Sequence, residues 1–183
     1  DSFSVETDKG TFFCKAVIVC TGGVSYPSTG STGDGYRFAE KMGLKVTERK
    51  PSLVGLFTKE TWPMQLQGLT LKNVCLTGIC CGKIIYSELG ELLFTHFGVS
   101  GPLILSASAH MRQMTAGRYT LVIGWKPGLS PEQLDARILR DFAERNNMDI
   151  GNALGKLLPR LLIPTILRLA QINTAKKCNA ITK

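Results

Sequence analysis

Two histidines, six cysteines and one long run of glycine and hydroxyl residues are the parts of this chain whose types could do chemistry. His96 sits in FTHFGVSGP, with Thr95, Ser100 and Gly101 around it. An imidazole can titrate near neutral pH, so His96 could donate a proton or bind a substrate carbonyl or carboxylate. It could equally hold the loop that precedes a helix. Ser100 reads as a helix N-cap rather than a nucleophile, because no acid–histidine arrangement surrounds it. His110 lies in a helical run without a motif and reads as surface or packing. The cysteines are Cys14, Cys20, Cys75, Cys80, Cys81 and Cys178. They form no CxxC pair, and with so few histidines no metal site is expected. Cys14, Cys20 and Cys75 fall in apolar, strand-like runs and read as small buried hydrophobes. All six are expected as reduced thiols. Adjacent cysteines such as Cys80 and Cys81 bond only with strain, which argues against a redox pair.

The glycine run is CTGGVSYPSTGSTGDGYRFAE, from Cys20 to Glu40. It follows AVIVC, whose continuous β-branched character predicts a strand buried on both faces of a parallel sheet. Glycines permit positive φ and close backbone approach. A helix start beyond them offers unpaired N–H groups to an anion or a polar ring edge. Ligands of α/β proteins gather at the carboxyl ends of strands, so a dinucleotide is a reasonable ligand. The run has neither the GK[ST] ending of a Walker loop nor the GxGxxG that opens a Rossmann domain. Asp34 reads as a cap of the following helix. Spacing alone leaves open a long connection with good turn chemistry and no ligand.

These residues need elements to hold them. SFSVET and TFFC, around the turn Asp8-Lys9-Gly10, predict a hairpin. GDGYRFAEKMG predicts a helix with Tyr36, Phe38, Ala39 and Met42 on its apolar side, ending at Gly43, and LKVTE a short strand. From Ser52 to about Trp125 the chain is strand-rich, with LVGLF, LTLKNVCLTGI, KIIYSE, ELLFT and YTLVIGW as candidates. Gly78 and Gly82 suggest a hairpin between the middle pair. One helix is expected from about Ser100-Gly101-Pro102 to Arg112. After Lys126-Pro127-Gly128 the texture is helical. Ser130-Pro131-Glu132-Gln133 forms a capping box, and two short helices are expected around breaks at Pro159 and Pro164. Trp62 and Trp125 read as core or interdomain contacts. The class is α+β in three stretches: residues 1–50, 51–127 and 128–183.

The chain has 183 residues, a net charge of +8 and 44% hydrophobic residues, a globular composition. No run is long and apolar enough for a membrane span, and DSFSVETDKG does not read as a signal peptide. A cytoplasmic setting is expected. The chain lacks a starting Met and ends at NAITK without a closing signal, so it is expected to be cut from a longer protein. Lys156, Arg160, Arg168, Lys176, Lys177 and Lys183 cluster late. Their spacing among apolar positions, with no aromatic residues between, reads as a solvated face rather than a nucleic-acid site.

VIVCTGG resembles the strand and turn of two-dinucleotide-type flavoproteins, and TGDGYRFAEKMG resembles a helix start in the fumarate reductase and aspartate oxidase group. The run from Lys15 to Leu56 resembles one family more closely, the bacterial BaiN/RdsA-type NAD(P)/FAD-dependent oxidoreductases. GELLFTHFGVSGPLILSASA, LQGLTLKNV and LDARILRDF carry the same resemblance, which covers essentially the whole chain. It implies a Rossmann-type FAD-binding domain, of which residues 1–50 are a late portion. A β-barrel-like insertion and a helical part would follow. It implies FAD as cofactor, NAD(P)H as reductant and a small organic acceptor. Thr21, Gly22 and Gly23 would lie along the cofactor, with Cys20 where Ala is usual. Ser25, Tyr26, Thr29, Gly30, Ser31, Thr32 and Gly33 would form the loop near the flavin, where Tyr26 could stack or pack on its own loop. Thr95, His96, Ser100 and Gly101 would face the pocket, His96 as proton donor and the others toward substrate. The family's pyrophosphate-holding segment has no counterpart here, so the isolated chain is expected to bind FAD weakly or not at all. A non-catalytic nucleotide-binding module and a nucleic-acid or protein interaction domain are the other classes. Substrate, the choice of NADH or NADPH, and oligomeric state are not readable.

Overall fold

The computed structural model describes residues 2–181, in two units, Asp1–Arg49 and Lys50–Lys183. Lys183 of the late basic cluster lies outside the described residues.

In the first unit, β1 (Phe3–Thr7) and β2 (Gly10–Cys14) pair antiparallel, Thr7 opposite Gly10, as the DKG turn predicts. Helix α1 (Asp34–Lys41) follows the glycine run. Its N-cap is Gly33 at φ +84°, and no side chain caps it. Asp34 is therefore the first helical residue rather than the cap, where its charge suits the helix dipole and it pairs with Arg37. AVIVC and LKVTE do not form the strands expected of them. A doubly buried strand needs a ladder on each side, and β1 and β2 pair only with each other. Val17, Ile18 and Val19 are consequently 44%, 86% and 51% exposed, and Cys20 is exposed, not a buried hydrophobe.

The second unit holds an antiparallel sheet of order β3-β6-β5-β4-β7. Its strands are β3 (Leu56–Phe57), β4 (Thr70–Cys80), β5 (Lys83–Thr95), β6 (Gly98–Ser100) and β7 (Tyr119–Gly124). Hydrogen bonding leaves the sheet open, with β3 and β7 as its edges. The β4–β5 turn is Cys81-Gly82, both at positive φ (49° and 76°), which suits the right-handed twist of a two-residue hairpin. The Cys80 and Cys81 sulfurs lie 3.8 Å apart as free thiols. Strand β4 buries Leu71, then Val74 and Leu76, a phase change that period-2 alternation alone forbids. A bulge between Leu71 and Val74, with Asn73 at φ +55°, absorbs the extra residue and keeps both halves facing the core.

KIIYSE and ELLFT are one strand, not two. Gly90 between them is a packing notch: a Cβ there would lie 3.1 Å from the Leu103 side chain. Helix α2 (Pro102–Ala109) rests on that face, joining Leu103, Ile104 and Ala107 to Leu76, Leu92 and Phe94 in the main core. Ser108, buried with them, donates to the Leu105 carbonyl and accepts from the Val54 amide, at 2.7 and 2.9 Å. Burying this hydroxyl costs little because both its capacities are used. Trp62 packs on Phe94 at 5.7 Å, and Trp125 lies against the same core.

Helix α3 (Pro131–Ala143) starts with the full capping box: Ser130 accepts from the Gln133 amide and the Gln133 side chain accepts from the Ser130 amide. Helices α4 (Ile150–Ala153) and α5 (Ile163–Leu169) follow. Pro164 sits in the first turn of α5 and starts that helix rather than breaking one. These helices share a second core of Ile150, Leu154, Leu157, Ile163 and Leu167, joined by Leu134, Ile138 and Phe142. Leu158 touches both cores, and Arg168 donates to Gln65 at 2.7 Å, so the helical part is tied to the sheet.

Candidate functional site

The sequence-derived candidates fall in both units. In the first, residues 21–33 form a compact loop closed at its base, where the Gly33 amide donates to the Gly23 carbonyl at 3.0 Å. Its glycines answer two needs. A Cβ on Gly22 would lie 3.0 Å from the Ser31 hydroxyl, and one on Gly33 would lie 3.0 Å from Val24, so these let the loop fold on itself. A Cβ on Gly30 would meet nothing within 4 Å, and that glycine answers only its φ of +94°. The loop also packs on α1, since a Cβ on Gly35 would lie 2.7 Å from the Thr21 hydroxyl. Tyr36 of α1 carries the Arg49 guanidinium over its ring at 5.0 Å.

This geometry sorts the loop's donors. Thr29 spends its hydroxyl on the Tyr26 carbonyl at 2.8 Å, and Thr32 donates to Asp34 at 3.1 Å. Ser31 faces Gly22. Ser25 has no hydrogen bond among the described residues and is exposed. Tyr26, at φ +56°, is 80% exposed, so it does not pack on its own loop. Of the loop side chains without a hydrogen bond among the described residues, the Thr21 and Ser31 hydroxyls are half-buried, and the exposed groups that can meet a ligand are the Ser25 hydroxyl and the Tyr26 ring and phenol. That donor set suits the edge or face of a planar ring. It does not suit a pyrophosphate, which calls for several converging N–H groups.

In the second unit, Thr95 pairs with Gly98, which leaves His96 and Phe97 as the two-residue tip of the β5–β6 hairpin. The tip is stiff. Phe97 donates weakly to the Thr95 hydroxyl at 3.4 Å. Gly98 admits β3 so closely that a Cβ would lie 2.4 Å from the Leu56 carbonyl oxygen. His96 is exposed, and its ring stands edge-on to Phe97 at 5.1 Å. Phe97 in turn meets Phe57 at 5.0 Å, and Phe57 is 84% exposed. Imidazole and two aromatic rings thus share one end of the sheet. The exposed ring of Phe57, backed by the half-buried Phe97, can stack a planar ring, and the imidazole beside it can hand over a proton.

Ser100 is not an N-cap. It still belongs to the β6 ladder, opposite Leu93, and the cap position is Gly101 at φ 92° with no side-chain bond. A Cβ on Gly101 would lie 2.9 Å from the Leu93 amide nitrogen, so Gly101 is the point where strand turns into helix against β5. Phe57 and Phe97 escaped the sequence reading. Phe97 could have been found as the aromatic neighbour of His96 in FTHFG, but Phe57 joins it only through the β3–β6 pairing. Among the described residues, no group of three or more His, Cys, Asp or Glu is arranged to hold a metal. No helix there is long and apolar enough to cross a membrane.

Comparison with known proteins adds the following. Residues 50–183 match the family model described as the HI0933-like protein barrel and H2TH domain. A ribosomal RNA dihydrouridine synthase of Haemophilus influenzae is 40% identical over 108 residues, 58% of this chain and 26% of the relative. A ribosomal RNA dihydrouridine synthase of Escherichia coli is 29% identical over 185 residues, 93% of this chain and 40% of the relative. A 3-dehydro-bile acid delta(4,6)-reductase of Clostridium scindens is 24% identical over 172 residues, 93% of this chain and 42% of the relative. The chain spans less than half the length of each of these relatives.

Proposed function

Because this chain belongs to the HI0933-like protein family, we propose that it forms part of a flavin-dependent reductase that saturates an electron-poor carbon–carbon double bond. The uracil ring of ribosomal RNA is the acceptor that the relatives favour. Two of them are named for making dihydrouridine, which is uridine plus two hydrogens, and one of these is 40% identical. The observation that carries the reading is the His96 imidazole beside the exposed ring of Phe57 and the half-buried ring of Phe97, on a hairpin tip fixed by Gly98.

In this reading Phe57 and Phe97 stack the planar acceptor, as aromatic side chains stack splayed RNA bases. His96 gives up the proton of the two-hydrogen addition and Thr95, Ser100 and Gly101 shape the approach. FAD, recharged by NAD(P)H, supplies the hydride when bound. Thr21, Gly22, Gly23, Ser25, Tyr26, Thr29, Gly30, Ser31, Thr32 and Gly33 are the residues that would run along it. Ser25 and Tyr26 are the ones with unbonded groups exposed for the ring. Residues 1–50 would then belong to the FAD-binding domain, with the sheet and helical parts inserted in it. The chain alone is expected to retain no FAD, because its loop offers no pyrophosphate cradle.

The test is made on the complete protein that carries this chain. Its visible spectrum is recorded, and it is then given NADPH with unmodified ribosomal RNA or with a 3-oxo-4,6-diene steroid. Nucleoside mass spectrometry should show uridine gaining two hydrogens, and the protein should be yellow. A colourless protein, or one that reduces the steroid and leaves RNA untouched, overturns the reading.

A further inference from the structure

A concave site lined by positive charge lies at the far end of the sheet from His96. A cavity of about 360 Å³ is lined by Lys50, His110, Arg112, Gln113, Arg118 and Tyr119, with Ile85 and Cys80 also in its wall. No lining residue is acidic. The chain around it is short of carboxylates too: from Leu92 through Pro131 there is no Asp or Glu. Arg112 and Arg118 are exposed, and neither is in an ion pair among the described residues. The segment that carries them is anchored at both ends. His110 closes α2 and packs its ring on Tyr86 at 5.6 Å, and the Gln113 amide donates to the Tyr119 hydroxyl at 3.3 Å.

Two exposed guanidinium forks at one hollow make a receptor for phosphate oxygens, since guanidinium matches them bidentately. These are not the late basic residues that the sequence brings to attention. Of those, Lys177 is paired with Asp149 at 2.6 Å and Arg168 with Gln65. We propose that this cavity binds the phosphodiester backbone of the RNA whose base is reduced at the His96 end, an anchor remote from the chemistry. The proposal rests on the RNA reading above and supplies what that reading lacks, a place for the polymer.

The test is fluorescence anisotropy of a labelled, uridine-rich ribosomal RNA stem-loop on the full chain, over a range of salt. Three double variants are compared: Arg112→Gln with Arg118→Gln, the charge-matched control Lys156→Gln with Arg160→Gln, and Arg112→Lys with Arg118→Lys. All four sites are at the surface. Each phosphate contact contributes roughly 0.7–0.9 to the slope of log K against log salt. The first variant should therefore flatten the slope by about 1.5 and weaken binding about tenfold or more at low salt. The control should leave the slope as it is, and the lysine variant should restore most of it. An equal loss in the first variant and the control would reduce the cavity to one part of a general positive field and overturn the proposal. So would displacement of the RNA by NADPH, which would assign the phosphate to a dinucleotide. Binding needs no flavin and no turnover, so the two readings fail separately. RNA held by the cavity but never reduced by the complete protein sinks the acceptor and spares the anchor. RNA reduced with an unchanged KM in the Arg112→Gln, Arg118→Gln protein sinks the anchor and spares the acceptor.

Discussion

Replacing Gly98 with Ala tests whether the aromatic tip is held as tightly as its backbone contacts require. The new Cβ would lie 2.4 Å from the Leu56 carbonyl oxygen and 2.8 Å from the Thr58 amide nitrogen. Both are backbone atoms of β3 and the residue after it, and cannot swing aside. A carbon–oxygen contact relaxes only beyond about 3.3 Å, so β3 must retreat by about 1 Å and strain its two-residue ladder. Gly98 also sits at φ +147°, where a side chain costs about 1–3 kcal/mol. Overpacking adds about 1–3 kcal/mol. Gly68 is the control: its φ is +86°, but an added Cβ would meet nothing within 4 Å. Gly68→Ala should carry the backbone cost alone, and Gly98→Ala should exceed it by about 1–3 kcal/mol. Trp62 and Trp125 are the chain's two tryptophans and both lie in the second unit, so urea unfolding followed by tryptophan fluorescence reports on the unit in question. Equal destabilisation by the two substitutions would refute the reasoning. The β3–β6 contact would then be free to give, and Phe57 would not be fixed beside Phe97.

Ser130→Ala should loosen the start of α3 by about 1 kcal/mol, read as faster hydrogen exchange at the Gln133 and Leu134 amides. The Ser130 hydroxyl, and then the backbone amide of Glu132, hold the Glu132 carboxyl below the usual carboxylate range. A depressed folded pKa gives stability that is present above the ordinary Glu value of about 4.3 and lost as pH falls through the folded value. The wild-type helix start should therefore loosen on acidification in that window, and the alanine variant should show less of this dependence. His96→Asn should leave the unfolding curve within about 0.5 kcal/mol of wild type, as for other exposed sites, and lower kcat of the complete protein; unchanged turnover would remove His96 from the chemistry. Thiol labelling of the native chain should modify Cys20 and Cys81 first and Cys178 last, because Cys178 is buried and burial raises its thiol pKa.

The readable parts of the fold were those governed by local rules. The capping box at Ser130, the proline that opens α2 and the glycine turn at Gly82 each act within four residues, and each is where the sequence puts it. KIIYSE and ELLFT read as separate candidates but form one strand, and only the arrival of Leu103 shows the Gly90 between them to be a notch. AVIVC misled because its composition describes a strand, but strands need partners, and the described residues give it none. The candidate site divides the same way. His96 and Phe97 stand side by side in the sequence, while Phe57 reaches them through a two-residue ladder that no periodicity announces. The cationic cavity joins the segment that holds Arg112 and Arg118 to Lys50, Cys80 and Ile85 from distant parts of the chain, and was invisible for that reason.

Strand β5 runs unbroken for 13 residues, from the turn beside the cationic cavity to the His96 tip. At about 3.3 Å per residue that is a molecular ruler of roughly 40 Å. A steroid or a lone nicotinamide is too short to register both of its marks at once. A stacked nucleic-acid strand, rising about 3.4 Å per nucleotide, covers the same length in about twelve steps. The cavity substitutions should then lose their effect on RNAs cut well below that length, although the base at the His96 end is unchanged.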